Sequence, residues 1–111
     1  MHYRLSRAYG VYIPTTTSIG KGFIIWHPCG IVINPDAKIG NYCQIHQFLS
    51  IGNTPDGTAE IGDNVWVGPH VSIVGPVKIG DHAKIGAGTV VIKDVPKNAT
   101  SVGNPNRIII K

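Results

Sequence analysis

The sequence predicts an all-β chain folded as a parallel β-helix, and three observations predict it. A branched aliphatic recurs every sixth residue: Ile13, Ile19 and Ile25, then Ile33, Ile39, Ile45 and Ile51, then Ile61, Val67, Ile73, Ile79, Ile85 and Val91. Glycine directly follows seven of these, at Gly20, Gly40, Gly52, Gly62, Gly68, Gly80 and Gly86. Four residues after most beats stands a second small or apolar side chain, as at Thr17, Ala37, Cys43, Val65, Val71, Val77, Ala83, Thr89 and Val95. A period of six matches neither a helical turn nor plain strand alternation. It is the hexapeptide signature of a solenoid in which each repeat holds one short strand and one turn.

The aliphatic at each beat is expected to point inward and stack on its counterpart one coil away, with the small residue filling the next corner. Three repeats close one triangular coil of roughly eighteen residues, so the chain holds four to five coils. In chain order, residues 1–11 read as an N-terminal cap segment, the first ten resembling the remnant of a helical approach. Residues 12–95 read as the repeat array and residues 96–111 as a capping tail. Each coil alone buries almost nothing, so stability is a nearest-neighbour property of the stack.

Composition sets the outer limits. A chain of 111 residues is one domain, and its 14 glycines and 8 prolines are spread along the repeats rather than clustered. No apolar run approaches membrane length and the first residues lack a signal-peptide core, which predicts a cytoplasmic protein with no membrane span. The net charge of +4 is modest, and without a dense basic stripe interleaved with aromatics it argues against nucleic acid. Lys93, Lys97, Arg107 and Lys111 gather near the C-terminus, read either as a solvated tail or as neighbours of a small phosphorylated ligand. Cys29 and Cys43 form no CxxC pair, and Cys43 falls on an inward position, so it reads as core.

Solenoids place function where the repeat is broken. Two extra residues interrupt the beat within Ile25-Trp26-His27-Pro28-Cys29-Gly30-Ile31-Val32, making a bulge that carries an imidazole. A polar loop, Asn53-Thr54-Pro55-Asp56-Gly57-Thr58, makes the second break. Stacking is expected to bring the two near each other, within one copy or between neighbouring copies.

Nearly the whole chain, from Ile13 to Lys111, resembles the hexapeptide-repeat acyltransferases, most closely their serine acetyltransferase-like branch. The run His27-Pro28-Cys29-Gly30-Ile31-Val32 is similar to that branch's His-x-x-Gly-Ile-Val motif. Ile85 to Val91, followed by Val95-Pro96 and Val102 to Ile108, resembles its C-terminal signature. The resemblance implies a left-handed β-helix, a homotrimer, and acetyl-CoA as acyl donor in grooves between subunits, with no metal. It implies that His27 acts as general base, a task suited to a residue type whose ordinary pKa lies near about 6.5. It also implies cofactor contacts at Asn53, Pro69, Ala87, Gly88 and Arg107. Pro69 has no N–H to offer such a contact.

The departures from the branch bear on the acceptor. At the places where it holds serine with charged groups, this chain has Trp26, Gly57 and Thr58, and the position that would orient the histidine is Tyr12. A zwitterion needs charged partners to offset its desolvation. The expectation is therefore a saccharide hydroxyl as acceptor, with Trp26, Asp56 and Thr58 contacting it, and Trp26 either stacking on a sugar or packing at a subunit seam. Serine O-acetyltransferase and a non-catalytic trimerising scaffold are the alternatives. His46 and His70 read as exposed turn or face residues, and His82 as an ordinary turn. No histidine pair has the His-x4-His spacing of a metal site on this fold.

Overall fold

The computed structural model describes residues 10–109, so the first nine residues, and the helical approach expected there, lie outside the described residues. Three parallel faces wind into a left-handed β-helix of about five turns. Face I stacks Val11–Tyr12 (β1), Ile31–Ile33 (β4), Ser50–Gly52 (β7), Ser72–Val74 (β10) and Val90–Val91 (β13). Face II stacks Ser18–Ile19 (β2), Lys38–Ile39 (β5), Glu60–Ile61 (β8) and Lys78–Ile79 (β11). Face III stacks Ile24–Ile25 (β3), Gln44–Ile45 (β6), Trp66–Val67 (β9), Lys84–Ile85 (β12) and Thr100–Val102 (β14), then closes with Arg107–Ile109 (β15), which runs antiparallel.

The aliphatic beat is the core. Ile33, Ile51, Ile73 and Val91 stack along face I, and Ile39, Ile61 and Ile79 along face II, all buried. The small residues fill the corners beside them: Ala37, Ala59, Cys43, Val65 and Ala83 are each at most 1 % exposed. Ile19 and Ile25, in the first coil, are only partly buried, because the described chain stacks on them from one side. At the far end the face III column ends on Ser101, fully buried, and its hydroxyl accepts a hydrogen bond from Asn106 Nδ2 at 3.0 Å. Asn106 also accepts from the Ile92 and Lys93 amides at 2.9 and 3.1 Å and donates to the Lys93 carbonyl. One buried amide thus closes the stack where the hydrophobic column stops.

Register locates the interruptions. Val11 pairs with Ile31, Ile33 with Ile51, Ile51 with Ile73 and Ile73 with Val91, giving coils of 20, 18, 22 and 18 residues. The two residues added to the first coil lie between β3 and β4, on the edge from face III to face I. The four added to the third lie between β7 and β8, on the edge from face I to face II.

Candidate functional site

His27 is placed by the bulge. Its backbone takes the left-handed conformation at φ 57, which a β-carbon disfavours, and its side chain is exposed. Six other non-glycine residues at turns of the array, Tyr42, Phe48, Asn64, His70, His82 and Asn98, share this conformation, so what sets His27 apart is the bulge that carries it. Gly30 ends the bulge at φ 62, where an added Cβ would stand 2.4 Å from the Phe48 ring, so only glycine lets the chain rejoin face I.

The same edge carries the equivalent turns of later coils. Phe48, His70 and Gly88 succeed Gly30 in one column, linked by Phe48 N–H to the Cys29 carbonyl, His70 N–H to the Gln47 carbonyl and Gly88 N–H to the Pro69 carbonyl. The Phe48 and His70 rings stack at 4.7 Å between centroids. Beyond them the edge opens: a Cβ built on Gly88 would meet nothing within 4 Å, and Ala87 beside it is exposed. Small residues therefore line this edge only beyond the Phe48–His70 stack, at Ala87 and Gly88. The Pro69 carbonyl already accepts the Gly88 amide at 2.9 Å. Arg107, exposed, pairs with Val102 at the end of β14 and so stands at the far end of this edge. From β3 to β14 the third face takes four strand spacings, roughly 19 Å at the usual separation.

Sequence reasoning underread the face beside His27. Trp26 is 46 % exposed, and its indole N–H donates to Gln44 Oε1 at 2.9 Å. His46, one register position after the Ile25–Ile45 pair, corresponds to Trp26 one coil along. It is half-buried rather than exposed, because its Nδ1 bonds the Val67 carbonyl at 2.8 Å and its ring meets Trp66 edge-on at 5.0 Å. That carbonyl can only accept, so Nδ1 carries a proton and donates it. Coil register carried the signal for this cluster: positions 26 and 46 align once the two added residues are assigned to the bulge.

The polar loop is elsewhere. Asn53, Asp56 and Thr58 lie on the edge from face I to face II, separated from His27 by the full width of face I. Within one copy the structure does not bring them together. The loop is well braced. Thr54 and Gly57 exchange backbone hydrogen bonds at 3.0 Å, Thr54 Oγ1 accepts the Asp56 amide at 3.3 Å, and Thr58 Oγ1 donates to Asn34 Oδ1 at 3.5 Å. The Thr54 side chain lies against Gly75 and Gly57 lies against Pro76 of the following coil, and Asp56 projects exposed from the tip. Among the described residues no three His, Cys, Asp or Glu side chains converge as metal ligands, and no helix is long and apolar enough to cross a membrane.

Residues 58–93 match the family model described as bacterial transferase hexapeptide (six repeats). The chain is 38 % identical over 106 residues to a serine acetyltransferase of Synechococcus elongatus, covering 92 % of this chain and 43 % of that protein. It superimposes on soybean serine acetyltransferase complexed with serine at a TM-score of 0.89 and 39 % identity, over 96 % of this chain and 45 % of that one. A serine acetyltransferase in complex with CoA matches at a TM-score of 0.89 and 36 % identity, over 95 % and 44 %. The chain thus spans less than half the length of each. These matches overturn the expectation of a saccharide acceptor, since the relatives are serine acetyltransferases and one is solved with serine bound. The saccharide reading rested on the uncharged residues Trp26, Gly57 and Thr58 at three positions where the branch has charged groups, and those three positions do not outweigh similarity over nearly the whole chain.

Proposed function

We propose that this chain, which belongs to the hexapeptide-repeat acyltransferase family, is an acetyl-CoA-dependent serine O-acetyltransferase with His27 as general base. One observation supports this above the others. Similarity to serine acetyltransferases runs through nearly all of the chain, and the array departs from its repeat by two added residues to hold an exposed histidine in a bulge. A scaffold has no use for that departure.

In this reading an imidazole nitrogen of His27 takes the proton from the serine hydroxyl as its oxygen attacks the thioester carbonyl. Collapse of the tetrahedral adduct breaks the C–S bond, and the same proton passes from the imidazolium to the departing thiolate. The shelf of Pro69, Ala87 and Gly88 suits an extended thioester arm because it offers small side chains and open space along the edge. Arg107 at its end suits the phosphates. Asn53, on the other edge, would contact the donor only from a second copy, and in this reading the copies form a trimer.

The test is thiol release from acetyl-CoA with and without L-serine. Wild-type protein should show serine-dependent release with O-acetylserine as product. His27→Ala should lower kcat/KM at least a hundredfold, about the lower end for a general base, at an unchanged melting temperature. Absence of serine-dependent turnover in the wild type overturns the acceptor, and full activity in the variant overturns the base.

A further inference from the structure

The basic residues near the C-terminus do not stay together in the fold. Arg107, on β15, stands at the edge from face III to face I, at the far end of the path proposed for the acyl donor. Lys97 lies on the opposite side, in the last turn from face II to face III, directly before Asn98. Beside that turn is a cavity of about 240 Å³ lined by His82, Lys84, Asn98, Thr100 and Ile109. It sits where face III begins, and the edge that carries His27 is where that face ends.

Register explains the cavity. Ala83 and Ala99 point inward and are buried, so their chain neighbours point outward: His82 and Lys84 in one coil, Asn98 and Thr100 in the next. The Lys84 amide bonds the Ala99 carbonyl at 2.9 Å and Lys84 pairs with Thr100, which holds the two coils level. The four side chains therefore stand at the corners of a patch of roughly 5 by 7 Å, one strand spacing by two residues along the chain. Thr100 pairs in turn with Ile109 of the antiparallel β15, so an aliphatic side chain walls the patch where the stack ends. The equivalent positions of the two preceding coils hold Tyr42, Gln44, Asn64 and Trp66, two of them aromatic and none cationic. The patch is thus a feature of the last coils and not of the repeat.

Its groups share one chemistry. The Lys84 ammonium, the Asn98 amide, the Thr100 hydroxyl and the His82 ring can each donate a hydrogen bond. Among the described residues none of these four side chains has a partner. No carboxylate lines the cavity. Asp81, next to His82 in the chain, gives its Oδ1 to the Asp63 amide of the preceding coil at 2.7 Å, and Asp63 gives its own to the Asn41 amide at 2.7 Å. Lys97, exposed in the same turn as Asn98, adds a second positive charge nearby. A phosphate group carries close to two negative charges at neutral pH and three strong acceptor oxygens, which this set of donors complements.

We infer that this cavity binds a phosphate group, free or carried by a small molecule, at a site separate from the acyl-donor edge. Ile109 gives the carried part an apolar wall. The inference depends on neither the acceptor nor the base of the acetyl transfer.

The experiment is calorimetric titration of the full chain at constant ionic strength and about pH 7.5, above the second pKa of a phosphate ester. The ligands are inorganic phosphate and, separately, glycerol 3-phosphate. The wild type should bind saturably, and its melting temperature should rise with ligand concentration. Lys84→Gln should weaken binding by about tenfold or more, as loss of a charge-assisted hydrogen bond does, and Thr100→Val by about two- to tenfold, as loss of a neutral one does. Lys84→Arg, which keeps the charge, should retain most of the affinity. Lys38→Gln, which removes a lysine from face II, and Arg107→Gln should bind as the wild type does. Tighter binding of glycerol 3-phosphate assigns a carried phosphate to the site, and equal or tighter binding of inorganic phosphate assigns the free ion. Neither heat nor a rise in melting temperature with either ligand overturns the site, as does undiminished binding in Lys84→Gln. Binding that is lost in Arg107→Gln but kept in Lys84→Gln would put the phosphate on the acyl-donor edge instead.

Discussion

Single residues carry the departures from the repeat, and two predictions follow from their burial. Cys43 is 1 % exposed, and burial raises its thiol pKa above the ordinary 9.0, with the nearby charge of Asp63 adding to the shift. An acid whose folded pKa is raised stabilises the fold while its thiol is protonated in both states. That contribution is lost as pH rises through the unfolded value towards the folded one. Denaturation free energy should therefore fall above about pH 9, and Cys43→Ala should reduce the steepness of that fall. Cys29 is exposed, so a thiol reagent at pH 8 should label it in the native protein and reach Cys43 only after unfolding. Two labels per native chain, counted by mass, would contradict the placement of Cys43. Asn106 is the other decisive residue. Its amide satisfies two backbone donors, one carbonyl and the Ser101 hydroxyl in a buried setting. Asn106→Ala should cost about 2–4 kcal/mol in urea denaturation, the penalty for stranding several buried polar groups. A loss below about 0.5 kcal/mol would mean that water replaces it.

At the scale of elements, stability should grade along the stack. Ile73 has a coil on each side and is fully buried, whereas Ile19 is only partly covered. Ile73→Ala should cost about 2–5 kcal/mol, within the range for a buried aliphatic, and Ile19→Ala clearly less. Equal losses would mean that the first coil is covered as fully as the centre. The elements were also the most legible part of the sequence. The six-residue beat locates strands ending at Ile39, Ile61, Ile79 and Ile85, since each inward aliphatic must stack on another. The coil lengths were legible too, because the added residues show directly as slips in the beat. The Trp26–Gln44–His46–Trp66 cluster was not, since it depends on side-chain direction and on a carbonyl, that of Val67, which the beat does not mark. The acceptor was misread for a related reason. Uncharged residues at Trp26, Gly57 and Thr58 show which charged groups are lacking there, but not which other groups hold the acceptor.

The whole molecule is shaped by the contrast between its faces. Face I offers only Tyr12, Val32, Ser50, Ser72 and Val90 outward, while face II offers Lys38, Glu60 and Lys78. Covering the uncharged face removes Val32, 48 % exposed, and Tyr12, 55 % exposed, from water. Covering face II would instead strand charges, at several kcal/mol for each unpaired ion. The prediction is a trimer closed through face I, with a sedimentation mass of three chains at micromolar concentration. Val32→Lys should convert it to single chains, because three ammonium groups would then meet near the axis without partners. Lys38→Glu, on the solvent face, should leave the mass unchanged. Activity separates this from a simple fault in folding. Val32→Lys keeps His27 intact and touches no core residue, so its strand content by circular dichroism should persist while serine acetylation is lost with the trimer. A variant that sediments as one chain yet retains full turnover would show that a single copy contains the whole site, and that the two edges of face I do not need to meet.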